Sequence, residues 1–193
     1  MAFKELVKTT ERLVLRSLDP SEAPKVLNYY SANREHFRYA MPELPANFYT
    51  ADYHYEKLWA DMELTSRKKL IRLYVFKKED EKYDHIIGDV SVYNIILGAV
   101  LSGHLGFKCD KYHTGEGYTS ESCREVLNYV FTSLELHRVE ANVLEDNHAS
   151  IHLIEKLGFR KEGITRDHAK ISGRWRDHLR YSLLCDEWQG YNL

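Results

Sequence analysis

Residues 105–119 read LGFKCDKYHTGEGYT, and residues 147–159 read NHASIHLIEKLGF. The first stretch turns through Thr114-Gly115-Glu116-Gly117-Tyr118-Thr119 into a long amphipathic segment. Gly115 and Gly117 let backbone N–H groups approach an anion without a Cβ in the way. The helix that follows aims its unpaired first-turn donors and its positive dipole end at the same spot. A pyrophosphate fits such a turn. The helix is predicted from Cys123, Val126, Leu127, Val130, Phe131 and Leu134, which recur on one helical face. A glycine pair before a helix also occurs where only a turn is needed, so the neighbouring sequence has to decide.

Just upstream, Leu101, Leu105, Phe107 and Cys109 share one parity and mark a strand that carries His104, Gly106 and Lys108 on its other face. Downstream, Val139, Ala141 and Val143 alternate in a short strand, Asn147 caps a second helix ending at Gly158, and Arg160 to Cys185 reads as two strands joined at Ser172-Gly173. Towards the N-terminus, Arg12 to Arg16 reads as a first strand. Ser21 to Ala32 reads as a helix capped by Ser21, with Pro24 in its first turn. The aromatic region Tyr29 to Trp59, broken by Pro42 and Pro45, reads as a helix, a loop and a second helix. Leu70 to Lys77 and His85 to Tyr93 follow as strands, separated by the solvated charged turn from Lys78 to Lys82. This order makes a mixed α/β domain and excludes a sandwich or a bundle. It also excludes a dinucleotide-binding fold, because strands run in series before the glycine turn.

The 193 residues, 44% of them hydrophobic, suit a single domain over 1–193 with a core of about 11–188. Against 29 acidic residues stand 27 basic ones, and a formal charge of -2 leaves no electrostatic footprint for nucleic acid or an anionic membrane. Cys109, Cys123 and Cys185 are widely spaced, which suggests neither a disulfide framework nor a zinc site. With no apolar run long enough to span a bilayer, a cytoplasmic protein is expected.

The ordered set Leu105-Gly106-Phe107, Gly115-Glu116-Gly117-Tyr118, Asn147-x-x-Ser150 and Glu155-Lys156-Leu157-Gly158-Phe159 resembles the GNAT superfamily of acetyl-CoA-dependent N-acetyltransferases. Lys161-Glu162-Gly163, followed by Gly173-Arg174-Trp175-Arg176-Asp177-His178, is similar to its RimJ/RimL-type ribosomal-protein N-acetyltransferase branch. The resemblance covers Glu11 to Trp188. It implies a GNAT fold: a twisted mixed sheet of about seven strands flanked by about four helices, with two parallel strands splayed to hold CoA. It implies acetyl-CoA as co-substrate, no metal, and a primary amine as acceptor. The N-terminal α-amine of a ribosomal or other cytosolic protein comes first; a polyamine or aminoglycoside, or a non-catalytic CoA-binding module, are the alternatives. Family members are often monomers or homodimers.

The same resemblance assigns roles. Phe107 and Cys109 would bond the pantetheine arm, and Thr114, Gly115, Glu116, Gly117, Tyr118 and Thr119 would cradle the pyrophosphate. The family's pattern there is Gln/Arg-x-x-Gly-x-Gly/Ala, and Thr114 and Thr119 depart from it. A backbone N–H near Phe107 to Lys108 would polarise the thioester carbonyl. Asn147 is an N-cap on its own chemistry and, by resemblance, a ligand of the pantetheine or the amine. Ser150 lies on the inward stripe with Leu153, Ile154 and Leu157; its hydroxyl would bond a carbonyl of the preceding turn or protonate the CoA thiolate. Many relatives use a tyrosine one turn later, where this chain has Ile154.

An α-amine, with a reference pKa of about 7.7–8.0, needs little help from a base. If one acts, His104 is the first candidate. Asp89 and Asp110 come after it as structural or solvated groups. Cys109 lacks an activating His-Asp pair and is not read as a nucleophile. His148 and His152 sit at i and i+4 without an evident third metal ligand. The aromatic segment supplies core and lid packing and also suits the wall of an acceptor cleft.

Overall fold

A computed structural model describes residues 5–190. A hairpin of β1 (Val7–Thr9) and β2 (Leu13–Arg16) leads into three helices, α1 (Ala23–Ala32), α2 (Arg34–Arg38) and α3 (Ala51–Ser66). Then come β3 (Ile71–Lys77), β4 (Gly88–Ile96), β5 (Ser102–Cys109), α4 (Tyr118–Thr132), β6 (Arg138–Leu144), α5 (His148–Lys156), β7 (Arg160–Ile171) and β8 (Arg174–Leu184). The strands form one sheet in the order β1-β2-β3-β4-β5-β6-β8-β7, antiparallel throughout except where β5 meets β6.

This is the expected fold with one more strand and one more helix. β1 is only three residues long, below the length at which alternation becomes a signal. α2 is a five-residue turn of helix inside the aromatic region. The cap of the first helical segment also differs. Asp19 accepts from the Ser21 N–H at 2.9 Å and opens a 3₁₀ turn over Pro20–Glu22 before α1. Both residue types cap well, and Pro20 at the first helical position decides for Asp19, because its fixed φ begins the turn there.

The sheet divides two hydrophobic layers. On one face, Cys123, Val126, Leu127 and Val130 of α4, Ile154 of α5 and Leu157 just after it pack onto Leu13, Leu73, Val90, Val92 and Leu105. On the other, α1, α2 and α3 bring Val26, Tyr29, Tyr30, Phe37 and Leu58 against Tyr74 and Phe76 of β3. The stripe read from the sequence is thus buried from Cys123 to Phe131, while its last member, Leu134, lies past the end of α4 and is half-buried. Gly158, with φ of 92°, ends α5 in the left-handed region where a Cβ would be strained.

One irregularity matters most for function. β5 and β6 pair in parallel only at Ser102↔Arg138, Gly103↔Val139 and His104↔Glu140. Beyond His104, β5 stays with β4 as far as Gly88↔Cys109, and β6 stays with β8 as far as Leu144↔His178. The sheet therefore opens a wedge at its middle. The carbonyl of Leu101 accepts from the β6 side while the N–H of Asp110 donates to Ile87 on the β4 side. Alternation between these two points turns the backbone groups of Leu105, Phe107 and Cys109 into the wedge, where β6 no longer meets them.

Candidate active site

The wedge ends at the glycine turn. Gly115 and Gly117 have φ of 81° and 82°, which only glycine adopts freely, and Gly117 is the N-cap of α4 without any side-chain cap bond. The Glu121 N–H donates to the Gly117 carbonyl, so the amides before it in the first turn point out of the helix end. Glycine geometry, outward amides and the dipole fit a phosphate group. Arg12 braces the turn from β2's side of the sheet. Its Nη1 donates to the Glu116 carbonyl at 3.0 Å, its Nε donates to Glu121 Oε2 at 2.7 Å, and its guanidinium lies 4.5 Å over the Tyr118 ring. The sequence reading missed Arg12, because nothing local links it to a turn more than a hundred residues away.

Each expected cofactor ligand lies on this wedge or turn. Phe107 and Cys109 face the gap through their backbone groups. Thr114 donates its hydroxyl to the Lys111 carbonyl at 3.4 Å, which holds the turn rather than the outside. Burial pushes the Cys109 thiol up, against a lowering hydrogen bond with Thr119, and Sγ donates to the His113 carbonyl at 3.4 Å. Burial thus disfavours the thiolate that a nucleophile would need. Of the Phe107 and Lys108 amides, the alternation turns the first into the wedge and the second towards β4.

On the far side of the wedge Asn147 caps α5, its Oδ1 accepting from the Ser150 N–H at 3.1 Å. Ser150 is therefore in the first turn, and the expected bond to a preceding helical carbonyl does not form because no turn precedes it. Its half-buried hydroxyl has no partner among the described residues. Ile154, one turn on, is fully buried in the core.

The face opposite α4 carries the polar residues of β4, β5 and β6. His104 stacks on Tyr93 at 5.7 Å between ring centres, and its Nδ1 lies 3.5 Å from Asn142 Nδ2. Burial lowers the His104 pKa, with Glu140 pulling the other way, and so favours the neutral imidazole. Gly106 keeps the floor beside it open. A Cβ there would meet Tyr93 Cε1 at 3.2 Å.

Asp89 and Asp110 are buried, not solvated. Asp89 is held by Arg72 at 3.3 Å and Lys108 at 3.5 Å. Asp110 takes the Asn33 amide at 2.7 Å and the Tyr112 N–H at 2.9 Å. Both are committed to structure. Three further carboxylates of this face are paired too. Asp61 contacts Lys57 and Arg72, while Glu140 and Glu162 share Arg138 and Arg180. Over the face, Pro42 bridges to Ile171 and Glu43 pairs with Lys170, which joins the loop after α2 to the β7–β8 hairpin. The aromatic segment thus divides between core, at Tyr29, Tyr30, Phe37 and Phe48, and roof. His148 and His152 are exposed, and among the described residues no group of three potential metal ligands occurs. No helix among these residues is long and apolar enough to cross a membrane.

Comparison with known proteins agrees with this architecture. The family model described as acetyltransferase (GNAT) domain matches residues 12–160. The chain is 34% identical over 172 residues to "Probable N-acetyltransferase YjcK" of Bacillus subtilis, covering 89% of this chain and 93% of that protein. It is 27% identical over 180 residues to the [ribosomal protein uS5]-alanine N-acetyltransferase of Escherichia coli, covering 93% and 91%. The crystal structure of a ribosomal-protein-S5-alanine acetyltransferase from Vibrio fischeri superposes with a TM-score of 0.88 at 28% identity, covering 95% of this chain and 99% of that one.

Proposed function

Because the chain belongs to the GNAT acetyltransferase family and is an acetyl-CoA-dependent N-acetyltransferase with RimJ/RimL-like relatives, we propose that its acceptor is the N-terminal α-amine of a ribosomal or other protein. One observation carries this choice over a polyamine or aminoglycoside. The carboxylates Asp61, Asp89, Glu140 and Glu162 on the face opposite α4 are each paired with arginine or lysine, which leaves these four poorly placed to hold a polycation. A peptide end carries one amine and needs walls, not a cluster of free carboxylates. The whole chain reads as one catalytic domain, since both hydrophobic layers use the same sheet.

In this reading acetyl-CoA supplies the acetyl thioester. Amides from Gly115 to Thr119 hold its pyrophosphate, Arg12 keeps that turn in shape, and the backbone of Phe107 and Cys109, with Asn147, holds the pantetheine arm. The Phe107 N–H donates to the thioester carbonyl. The neutral amine's lone pair forms the new N–C bond while the C–S bond breaks with its electron pair on sulfur. His104 takes the surplus proton from nitrogen, directly or through water, and Ser150 gives its hydroxyl proton to sulfur. The proton on His104 returns to Ser150 through solvent, so the chain ends as it began.

The test is mass spectrometry with isotopically labelled acetyl-CoA and a panel of peptides, spermidine and an aminoglycoside. Label on the α-amine of peptides beginning with alanine or serine is expected. Label confined to the small amines, or to lysine side chains, would remove the proposal.

A further inference from the structure

His104 is not alone on the open face. Asn142 stands on β6 two residues past Glu140, the last β6 residue paired to β5, so its side chain looks across the mouth of the wedge towards β5. Its Nδ2 lies 3.5 Å from His104 Nδ1. From the other side, Thr165 Oγ1 on β7 donates to Asn142 Oδ1 at 3.5 Å. Three strands thus bring an imidazole, an amide and a hydroxyl into one line across the sheet. Contacts of this length are usual before substrate draws a site together.

Chemistry gives the line its meaning. An imidazole takes a proton on Nε2 as the tautomer that carries its hydrogen on Nδ1, which an acceptor beside Nδ1 favours. The Asn142 Nδ2 that faces Nδ1 favours the other tautomer, so the amide must turn its oxygen there for the ring to act as a base. A carboxamide serves both states, since it offers an oxygen or an amino group according to how its end is turned. A hydroxyl beside it can donate to the oxygen or accept from the amino group, so it follows either orientation. Asn142 and Thr165 therefore suit a histidine that gains and loses a proton in each cycle. On the Tyr93 side the ring is clamped flat, which leaves rotation about its own bond as the freedom that Asn142 removes.

Resting on the reading of His104 as the acceptor-side base, we propose that Asn142 and Thr165 are positioning residues that hold His104 by Nδ1 and aim Nε2 at the incoming amine. The groups that set the charge state around the ring are Tyr93 on β4, Arg138 and Glu140 on β6, His168 on β7, and His178 and Arg180 on β8. Glu140 is already bound by Arg138 and Arg180, so it is not free to take the place of Asn142. His178 is engaged through Nδ1 with the Arg176 carbonyl at 3.1 Å, and His168 lies against it at 4.8 Å between ring centres.

The experiment follows the His104 ring by nitrogen-15 NMR in the full chain, alongside the pH profile of kcat/KM with an alanine-starting peptide. Asn142→Leu should change the tautomer ratio of His104 and lower kcat/KM for peptide by about ten- to a hundred-fold. The KM for acetyl-CoA should stay within about two-fold. Asn142→Asp should raise the His104 pKa by about one unit or more and move the acid limb of the profile up with it. Thr165→Val, a near-isosteric change that keeps the fold, should give a smaller effect in the direction of Asn142→Leu. If His104 keeps its tautomer ratio and pKa in all three variants, the positioning proposal is wrong whatever the activities are. If instead the NMR changes appear but His104→Gln leaves both rate and acid limb intact, Asn142 positions a ring that is not the base, and it is the assignment of His104 that fails.

Discussion

Arg12 and Glu121 are locked together across the sheet: the Arg12 backbone N–H donates to Glu121 Oε1 at 2.9 Å while its side-chain Nε donates to Oε2 at 2.7 Å. One carboxylate therefore holds both the start of β2 and the first turn of α4. On the reading proposed above, Arg12 is the brace of the turn that holds the cofactor and not itself a ligand. Arg12→Ala should raise the KM for acetyl-CoA by about three- to ten-fold with kcat nearly unchanged, a modest figure because the pair is partly exposed. Steady-state kinetics at saturating peptide checks it, and an unchanged KM would mean the turn needs no brace.

Gly117 offers a sharper probe of the same turn. Its φ of 82° lies where an L-residue is strained by about 1–2 kcal/mol, and a Cβ would stand 3.4 Å from Arg12 Nη2. Gly117→Ala should weaken acetyl-CoA binding by about five- to thirty-fold in a calorimetric titration. Gly115 shares the strain, with φ of 81°, but a Cβ there meets nothing within 4 Å, so Gly115→Ala should cost less.

Much of this was legible in the sequence, and what was not has a physical reason. The α4 stripe, the parity of β5 and the Asn147 cap all rest on local periodicity or local hydrogen bonding, and the structure has them. The wedge between β5 and β6 could be named only by resemblance, because a missing ladder leaves no pattern in either strand. Arg12 and Thr165 escaped notice for a similar cause, since their partners are far away along the chain. Asp89 and Asp110 read as lesser base candidates, structural or solvated, because a carboxylate gives no sign in sequence of the Arg72, Lys108 or Asn33 that will bury it.

Ser150 can be tested apart from binding. Its hydroxyl is not bonded to any described residue, so replacing it leaves no orphaned partner and little cost in folding. Ser150→Ala should lower kcat by about ten-fold or more with an unaltered Kd for acetyl-CoA, read from thiol release and equilibrium binding. Turnover at the wild-type rate would take Ser150 out of the mechanism and leave water as the proton donor.

Cys109 should be dispensable for chemistry. Burial raises its thiol and its Sγ is engaged with the His113 carbonyl, so Cys109→Ala should retain activity within about three-fold. Labelling of Cys109 by a maleimide should be slow and slower still with acetyl-CoA present. Loss of all turnover in Cys109→Ala would point to a covalent route.

Acid should weaken the contacts that hold the segment around the glycine turn. Burial pushes the Asp110 carboxyl up, but bonds from Asn33, the Tyr112 N–H and His113 outweigh it and leave its pKa below the ordinary value. For Glu121 the same contest is won by Thr10 and Arg12. Because both folded pKa values lie below the unfolded ones, the stability they contribute is complete above about pH 4.5 and is lost as pH falls through the folded values. Melting temperature should therefore drop as pH is lowered from about 4.5, and Asp110→Asn should flatten that slope while lowering the plateau. An equal slope in the variant would refute the assignment.

The wedge has a thermodynamic consequence. A sheet normally protects its central amides best, yet Leu105, Phe107 and Cys109 sit mid-sheet with no strand opposite. In the free protein their hydrogens should exchange with solvent as readily as those of a surface loop, and bound acetyl-CoA should slow them as a neighbouring strand would. At a hundred-fold excess over Kd, such a ligand adds about 2.7 kcal/mol to the free energy of unfolding. The durability of this protein is thus coupled to the supply of the molecule it consumes.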